Sequence, residues 1–204
     1  MRLACVLRSG GDYRPEHVDR LRSGLARHLP DCSLICLSDV PVSCERIELE
    51  HGWPGWWSKM ELFRPDISGD LFFFDLDTVI VGDLVDLANV SRPVMLSDFH
   101  SDVHAASGLM YLTEEMRGAI WRDWIDRPGD HMRRHGRGGD QSYLRTRPSI
   151  RAAARWQTLF PGAVISYKKN IALTGKPDRP VPEGAKLVCF HGQPRPWQIK
   201  ADWV

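Results

Sequence analysis

One short stretch, residues 71–81, limits what this chain can fold into more than any other. The apolar run Leu71-Phe72-Phe73-Phe74 leads directly into Asp75-Leu76-Asp77, and the mostly β-branched run Thr78-Val79-Ile80-Val81 follows. A short apolar run rich in aromatic residues is typical of a strand that is buried on both faces, in the middle of a parallel or mixed sheet. The two carboxylates should therefore lie where that strand ends, in the crevice that the sheet offers.

Asp75 and Asp77 have a spacing that suits a metal ion. Strand alternation places both side chains on one side of the chain, with Leu76 opposite. Burying two carboxylates is costly unless a cation or a hydrogen-bond donor replaces the lost water. Two converging oxygen ligands suit Mg²⁺ or Mn²⁺, particularly an ion that also holds a diphosphate. The alternative is a solvated turn at a strand end, where Asp is a common turn former.

Length, composition and charge narrow the class of protein. The 204 residues suit one domain, and 43% hydrophobic with 26% charged residues is typical of a soluble globular protein. The net charge of +1 gives no bulk attraction to nucleic acid. No apolar run approaches the roughly 20 residues of a membrane span, and the apolar region of the N-terminus is shorter than a signal peptide needs, so we expect no signal peptide there. The five cysteines form no ligand pattern, so we expect reduced thiols in a cytoplasmic protein.

The first 40 residues predict the handedness and the edge of the sheet. Residues 4–7 read as a strand, Pro15 opens a helix that runs to about His28, and residues 33–37 read as a second strand. Such a unit is right-handed in a parallel sheet, with its loops at the carboxyl ends of the strands. The loop at residues 8–13 and the Asp75–Asp77 pair should therefore share one edge.

Three further residues are candidates for ligand contacts. In the loop, Asp12 could accept a hydrogen bond from a base and Tyr13 could stack on it; the alternative is a Gly-Gly turn that binds nothing. Ser58 and Glu61 have the capping-box spacing of a helix start. Lys59 gains nothing from the helix dipole there, so it could reach for an anion, although a solvated surface lysine is the alternative.

The only strong local charge bias lies in residues 117–155, which contain ten Arg, four Asp and no Lys or Glu. Solvated helix faces would explain it, and a docking surface for an anionic acceptor or for membrane headgroups is the alternative. Within this segment, Gly138-Gly139-Asp140-Gln141 precedes a helical stretch, so Asp140 is either an N-cap or a polar site residue.

The tail carries the second set of candidates. A final strand ends in His191, a good ligand for a borderline metal, although a strand-end His is more often hydrogen-bonded at the surface. Arg195 lies between Pro194 and Pro196, and a fixed guanidinium suits a phosphate.

Together, Phe74-Asp75-Leu76-Asp77, Gly139-Asp140-Gln141 and the segment from Phe190 to Trp197 resemble the GT-A-fold nucleotide-sugar glycosyltransferases. The most similar are the family 8 enzymes that include glycogenin and bacterial lipopolysaccharide galactosyltransferases. The resemblance implies a single α/β Rossmann-like domain over residues 1–204, with a mostly parallel central sheet and helices on both faces. Residues 1–90 would bind the nucleotide, and residues 91–204 would form the acceptor part and the metal-binding tail.

The resemblance also implies a retaining hexosyltransferase that moves a sugar from a UDP-sugar to an unknown acceptor. A cell-surface glycan is the expected acceptor, and the arginine-rich segment adds the expectation that this acceptor is anionic or membrane-associated and is reached at the inner face of the membrane. Mn²⁺ or Mg²⁺ would be held by Asp75, Asp77 and His191, and Asp140 with Gln141 would lie near the donor sugar and the acceptor. The implied nucleotide and donor contacts are Arg8, Asp12, Tyr13, Lys59, Asp75, Leu76, Gly192 and Arg195.

The sequence departs from the family in its tail, where His191 and Gly192 are adjacent and the basic residue is Arg195. Two other functions stay open. One is a nucleotide-sugar- or glycan-binding protein without transfer activity. The other is a haloacid-dehalogenase-type phosphatase, whose nucleophile motif resembles residues 74–78. That motif normally ends the first strand of its domain and needs a later Asp pair, and this sequence shows neither feature.

Overall fold

The computed structural model describes residues 1–174 and 180–204. Its strands are β1 (Arg2–Leu7), β2 (Leu34–Ser38), β3 (Glu45–Glu48), β4 (Leu71–Phe74), β5 (Thr78–Ile80), β6 (Val94–Asp98), β7 (Ser101–Leu112), β8 (Ala154–Arg155), β9 (Val164–Ser166) and β10 (Leu187–Cys189). Its α-helices are α1 (Pro15–His28), α2 (Val85–Ala88), α3 (Glu114–Asp126), α4 (Pro128–His135), α5 (Gly139–Leu144), α6 (Pro148–Ala152) and α7 (Trp156–Leu159). A 3-10 segment spans Gly55–Phe63. No helix within the described ranges is long and apolar enough to cross a membrane.

A seven-stranded sheet, in the order β3-β2-β1-β4-β7-β6-β8, forms the centre of the fold. Strands β3, β2, β1 and β4 run parallel to one another. Strand β7 is antiparallel to both β4 and β6, and β8 is parallel to β6. The sheet is therefore mixed but mostly parallel, which confirms the predicted α/β class.

Strand β4 is buried on both faces, as its sequence predicts. Leu71 and Phe73 pack into one hydrophobic cluster, and Phe72 and Phe74 pack into a second cluster across the sheet. All four side chains are fully buried. At ~25 cal/mol per Å² of buried apolar surface, such residues supply much of the free energy of folding, so the end of β4 is a rigid place for functional groups.

The chain leaves the central sheet after β4, and Asp75-Leu76-Asp77 lead directly into a second sheet, which the sequence did not reveal. Strand β5 joins a separate three-stranded sheet, in the order β5-β10-β9, and pairs antiparallel with β10. The backbone N–H of Phe190 donates to the carbonyl of Asp77 at 3.1 Å. This pairing carries the C-terminal tail to the two carboxylates.

The predicted capping box at Ser58 and Glu61 is wrong. The 3-10 segment begins at Gly55, and Ser58 Oγ donates to the carbonyl of Gly55 at 2.8 Å. Fully buried Glu61 accepts from the backbone N–H groups of Glu50 at 2.7 Å and His51 at 3.0 Å. Donors from a distant part of the chain therefore replaced the local partner that the spacing suggested.

The polar stretch at residues 97–104, whose composition alone predicts a loop, forms a hairpin. Strand β7 begins at Ser101 and pairs with β6 through two register shifts. Three of its first four residues, Ser101, Asp102 and His104, are polar, and residues 102–104 are exposed at the tip of the sheet. The polar side chains at the start of β7 therefore reflect the solvent exposure of a strand and not an irregular backbone.

Most arginine side chains of the segment at residues 117–155 have partners within the protein. Seven of its ten guanidinium groups contact carboxylates or backbone carbonyls, and these belong to Arg117, Arg127, Arg133, Arg145, Arg147, Arg151 and Arg155. The segment as a whole is therefore not the free cationic surface that its composition suggested.

Arg117 is the deepest of these groups and supports the lead-in to β4. It is 1% exposed, and its guanidinium donates to the carbonyls of Leu62 at 2.9 Å, Ile67 at 2.6 Å and Gly69 at 2.6 Å. These bonds fix the turn between the 3-10 segment and β4. A buried cation whose charge is met by backbone dipoles is costly to lose, because its partners are then left without donors.

We expect Arg117→Met to lower the free energy of unfolding by about 2–4 kcal/mol, because the orphaned carbonyls stay buried. The exposed Arg127, paired only with its neighbour Asp126, gives the matched control. Arg127→Met should change stability by less than about 0.5 kcal/mol. Urea unfolding followed by tryptophan fluorescence measures both, and equal effects of the two changes would contradict the structural role of Arg117.

Candidate functional site

A cavity of about 930 Å³ opens at the edge of the sheet where β1 and β4 end. Its walls come from the loop after β1, the end of β4, the 3-10 segment, the start of α5 and the C-terminal tail. The loop at residues 8–13 and the Asp75–Asp77 pair thus lie together, as the strand-end argument predicted.

Lys59 joins three of these walls through its ammonium group. Its Nζ atom lies 2.9 Å from Oδ2 of Asp75 and 3.6 Å from Oδ2 of Asp140. Burial opposes the charge of Lys59, but Asp140 and Asp75 outweigh it and raise the pKa of the ammonium. Lys59 is therefore a buried cation that faces the cavity, and not a solvated surface lysine.

The tail reaches the cavity through Arg195. Its guanidinium pairs with Asp77, lies 3.3 Å from Oδ2 of Asp12, and donates to the hydroxyl of Tyr13 at 3.2 Å. It also lies over the Tyr13 ring, 5.1 Å from the centroid. Burial opposes the charge of Arg195, yet Tyr13 and Asp77 raise its pKa, so the guanidinium stays fixed and charged at the site.

The two strand-end carboxylates are in a costly environment. Burial raises the pKa of Asp75, although Lys59 partly offsets it. Burial and the neighbouring Asp75 raise the pKa of Asp77 to about 7, against the attraction of Arg195. Asp140 is 4% exposed, and its Oδ2 is buried without a hydrogen-bond partner. Three acids thus meet two side-chain cations, and this electrostatic imbalance would be relieved by a further cation.

The donor chemistry of Asp75 and Asp77 fits a divalent ion, because both supply carboxylate oxygen to one cavity. His191 also lines the cavity, but its Nε2 lies 2.8 Å from Oγ of Ser166, and its ring stacks on Phe99. Burial and Lys168 lower the pKa of His191, which keeps the ring neutral, as a metal ligand must be. Within residues 1–174 and 180–204 no three His, Cys, Asp or Glu side chains are arranged to hold a metal. The three-ligand set stays a prediction.

The remaining predicted contacts differ in where they lie. Arg8 and Gly192 line the cavity, and Arg8 also pairs with Asp39 at 3.5 Å. Leu76 faces the core, and its carbonyl accepts from Arg20 at 2.7 Å, so only its backbone could meet a ligand.

The two residues predicted near the reacting sugar lie at the start of α5. Gln141 lines the cavity, and its side-chain oxygen accepts from the backbone N–H of Ser107 at 3.2 Å. Asp140 lies within α5 and does not cap it, since the N-cap position belongs to Gly138. The N-cap interpretation of Asp140 is therefore wrong, and its side chain is free to face the cavity.

Several residues that line the cavity were not predicted as site residues, among them Trp56 and Arg137. Trp56 is 53% exposed, whereas Trp53 and Trp57 beside it are buried. Its place in a Gly- and Pro-rich loop, away from any periodic pattern, was the available signal. Arg137 could not be told from the other arginines of its segment, because their partners are distant in sequence.

The raised pKa of Asp77 predicts how stability depends on pH. Its folded-state pKa of about 7 lies above its ordinary value of 3.8, so the folded protein binds this proton more tightly than the unfolded chain. Asp77 therefore reduces stability as the pH rises through that window, and the reduction is fully present above it. We expect Asp77→Asn to unfold at higher urea than the wild type at about pH 8, by on the order of 1–3 kcal/mol, with little difference at about pH 4. A variant less stable than the wild type at both values would contradict this assignment.

No protein-family model and no curated protein sequence matches this chain. Several solved structures are similar to this chain. The glycosyltransferase GlyE of Streptococcus pneumoniae TIGR4 aligns with 98% of this chain at 16% identity and a TM-score of 0.68. The chain spans only 56% of that GlyE chain. An active-site mutant of LgtC aligns with 97% of this chain, and the alignment covers 89% of the LgtC chain, at 11% identity and a TM-score of 0.66.

The galactosyltransferase LgtC, solved with donor and acceptor sugar analogs, aligns over the same shares of the two chains, 97% and 89%. Its identity to this chain is 12% and its TM-score 0.61. At sequence identities this low, the similarity shows a shared fold and not a shared function. This chain has the GT-A glycosyltransferase fold, as found in structures close to family 8.

Proposed function

We propose that this protein transfers a sugar from a nucleotide sugar, expected to be a UDP-sugar, to an acceptor hydroxyl with the help of Mn²⁺ or Mg²⁺. One observation carries the proposal: Asp75 and Asp77 are held at the end of a buried strand, in a cavity whose other charged groups include Lys59 and Arg195. The cavity volume of about 930 Å³ suits a ligand of the size of a nucleotide sugar.

In this proposal Asp75 and Asp77 hold the divalent ion, with His191 as a third ligand once it leaves Ser166. A bound divalent ion neutralises charge that develops on a departing diphosphate. Arg195 already faces Asp77 and carries a planar donor fork, so it can bind the diphosphate by charge-assisted hydrogen bonds. Stabilising this leaving group with fixed cations requires no proton donor.

The nucleotide and the sugar would lie on opposite sides of the diphosphate. Tyr13 offers an aromatic face for the base, and Asp12 offers a carboxylate for its N–H groups. Asp140 presents a buried oxygen without a hydrogen-bond partner, which suits a sugar hydroxyl. Gln141, beside it, would orient the donor sugar or the acceptor through its amide.

The proposed stereochemistry follows from the state of the acids. Lys59 pairs with Asp75 and Asp140, and Arg195 pairs with Asp77. A carboxylate already engaged by a buried cation is a weak general base. A retaining reaction, in which the departing diphosphate itself can take the acceptor proton, suits this site better than an inverting one.

A nucleotide-sugar- or glycan-binding protein without transfer activity is the second candidate, because the same residues could bind without turnover. The phosphatase alternative receives no support from the fold comparisons, which are with glycosyltransferases. Release of UDP from a UDP-sugar in the presence of Mn²⁺ separates the enzyme from the binding protein.

Titrating UDP into the protein with and without Mn²⁺, by calorimetry, tests the proposal. We expect tight binding only with Mn²⁺, and we expect Asp77→Asn to weaken it by more than about 100-fold, because a direct ligand is lost. Asp31→Asn is the matched control, since Asp31 is exposed and has a positive φ of 67° that Asn tolerates. Unchanged UDP affinity in Asp77→Asn would refute the metal site.

Arg195→Ala should separate the two binding events. We expect it to weaken UDP by about 1.5–3 kcal/mol, the value of a charge-assisted contact, and to affect uridine much less. Mn²⁺ alone should bind at least as tightly as in the wild type, because the substitution removes the cation that pairs with Asp77. Calorimetry with each ligand measures this, and an equal loss for UDP and uridine would contradict the phosphate contact.

A further inference from the structure

In the segment at residues 117–155, three guanidinium groups make no hydrogen bond or ion pair with the described part of the chain, those of Arg122, Arg134 and Arg137. Of these, only Arg137 lines the cavity. The other Lys and Arg side chains that line it each have a carboxylate partner: Arg8 has Asp39, Lys59 has Asp75, and Arg195 has Asp77. Arg137 is thus an exposed cation at the cavity whose charge the described residues do not neutralise.

Trp56 supplies an exposed aromatic surface in the same cavity. More than half of its surface is open to solvent, although such a large apolar side chain is normally buried or covered. Its indole packs directly on Gly139. A Cβ atom at that position would lie 2.5 Å from Nε1 of Trp56. Gly139 also has a φ of +61°, which favours glycine.

Trp56, Arg137 and Asp140 all line the cavity, and Trp56 meets the wall formed by the start of α5 at Gly139. Arg137 precedes the Gly139 contact by two residues, and Asp140, whose Oδ2 lies 3.6 Å from Lys59 Nζ but makes no hydrogen bond, follows it by one. Together these residues offer a flat apolar face, a free positive charge and a buried hydrogen-bond acceptor. A sugar ring presents a face of C–H groups that packs on an indole, whose π face is electron-rich. A guanidinium binds a carboxylate or a phosphate.

We propose that Trp56 and Arg137 form an acceptor subsite for an acidic saccharide, whose ring packs on the indole and whose carboxylate or phosphate pairs with Arg137. This inference rests on the proposed function for its direction, since it assigns the substrate class of the second ligand. The anion of the acceptor would thus bind one guanidinium, that of Arg137, and not the arginine-rich surface as a whole.

Saturation-transfer NMR and calorimetry on the full chain, with UDP and Mn²⁺ present, test it. The probes are methyl glycosides of glucose and galactose, the corresponding methyl uronides, and the 6-phosphates of both sugars. We expect the acidic probes to bind more tightly than the neutral ones, and the better of the uronide and phosphate series identifies the anion. Equal binding of the neutral and acidic probes by the wild type would overturn the proposal.

Substitutions assign the two contacts. Arg137→Gln should weaken the acidic probes by about tenfold and leave the neutral ones unchanged. Arg134→Gln is the matched control, because Arg134 is exposed, lies outside the cavity lining and should change nothing. Trp56→Ala should weaken both series, and Trp56→Phe should restore most of the binding. Acidic binding that survives Arg137→Gln, or that falls equally in Arg134→Gln, would overturn the role of Arg137.

The same samples keep this inference separate from the proposed function. If the wild type fails to bind UDP with Mn²⁺, the proposed function is refuted, whatever the saccharides do. If UDP binds but the acidic probes show no preference, only the subsite is refuted. Inorganic phosphate is the last probe, and if it binds as tightly as the sugar phosphates, the indole contributes nothing and its role is refuted.

Discussion

The contact of Lys59 with Asp75 and Asp140 is the interaction on which the cavity depends. It ties together the 3-10 segment, the end of β4 and the start of α5, which are far apart in sequence. The ammonium is largely buried. If it were removed, little water could reach Asp75 and Asp140 to take its place. Removing one partner of a buried ion pair leaves an uncompensated charge, and such a loss costs far more than the pair contributes. The walls are therefore held together by charge as well as by packing.

The ion pair of Arg195 with Asp77 closes the remaining side of the cavity. The three acids Asp75, Asp77 and Asp140 still outnumber the two cations, Lys59 and Arg195. The pairing of β5 with β10 brings the tail to Asp77, and the guanidinium then meets the acid. The raised pKa values of Asp75 and Asp77 show that burial and mutual repulsion are not fully offset. A fold tolerates such a cost only where the surrounding structure is stable enough to impose it. The fully buried β4 and the turn that Arg117 fixes provide that stability.

The sequence predicted what local patterns determine, and it failed where distant partners decide. The Pro15–His28 helix and β4 follow from periodicity and from apolar runs. Because loops at the carboxyl ends of parallel strands share one edge of a sheet, the loop at residues 8–13 was correctly predicted to lie beside Asp75 and Asp77. The partners of Glu61 and of Lys59 come from other elements, so no local spacing could identify them. Trp56 and Trp57 are identical and adjacent, yet one is exposed and the other buried, because the 3-10 segment turns them to different sides. The composition of residues 117–155 likewise could not distinguish a buried arginine such as Arg117 from an exposed one such as Arg137.

A single backbone conformation at Gly139 connects the aromatic wall of the cavity to its charged interior. The positive φ lets the chain enter α5 in a direction that a side chain at this position would oppose. The missing Cβ also leaves the space that the Trp56 indole fills. The next residue, Asp140, then points its carboxylate toward Lys59. Any residue larger than glycine would have to displace the indole or change the entry to α5, and either change would move Asp140 relative to Asp75. The shape of the aromatic wall and the charge balance of the interior are therefore not independent properties of this site.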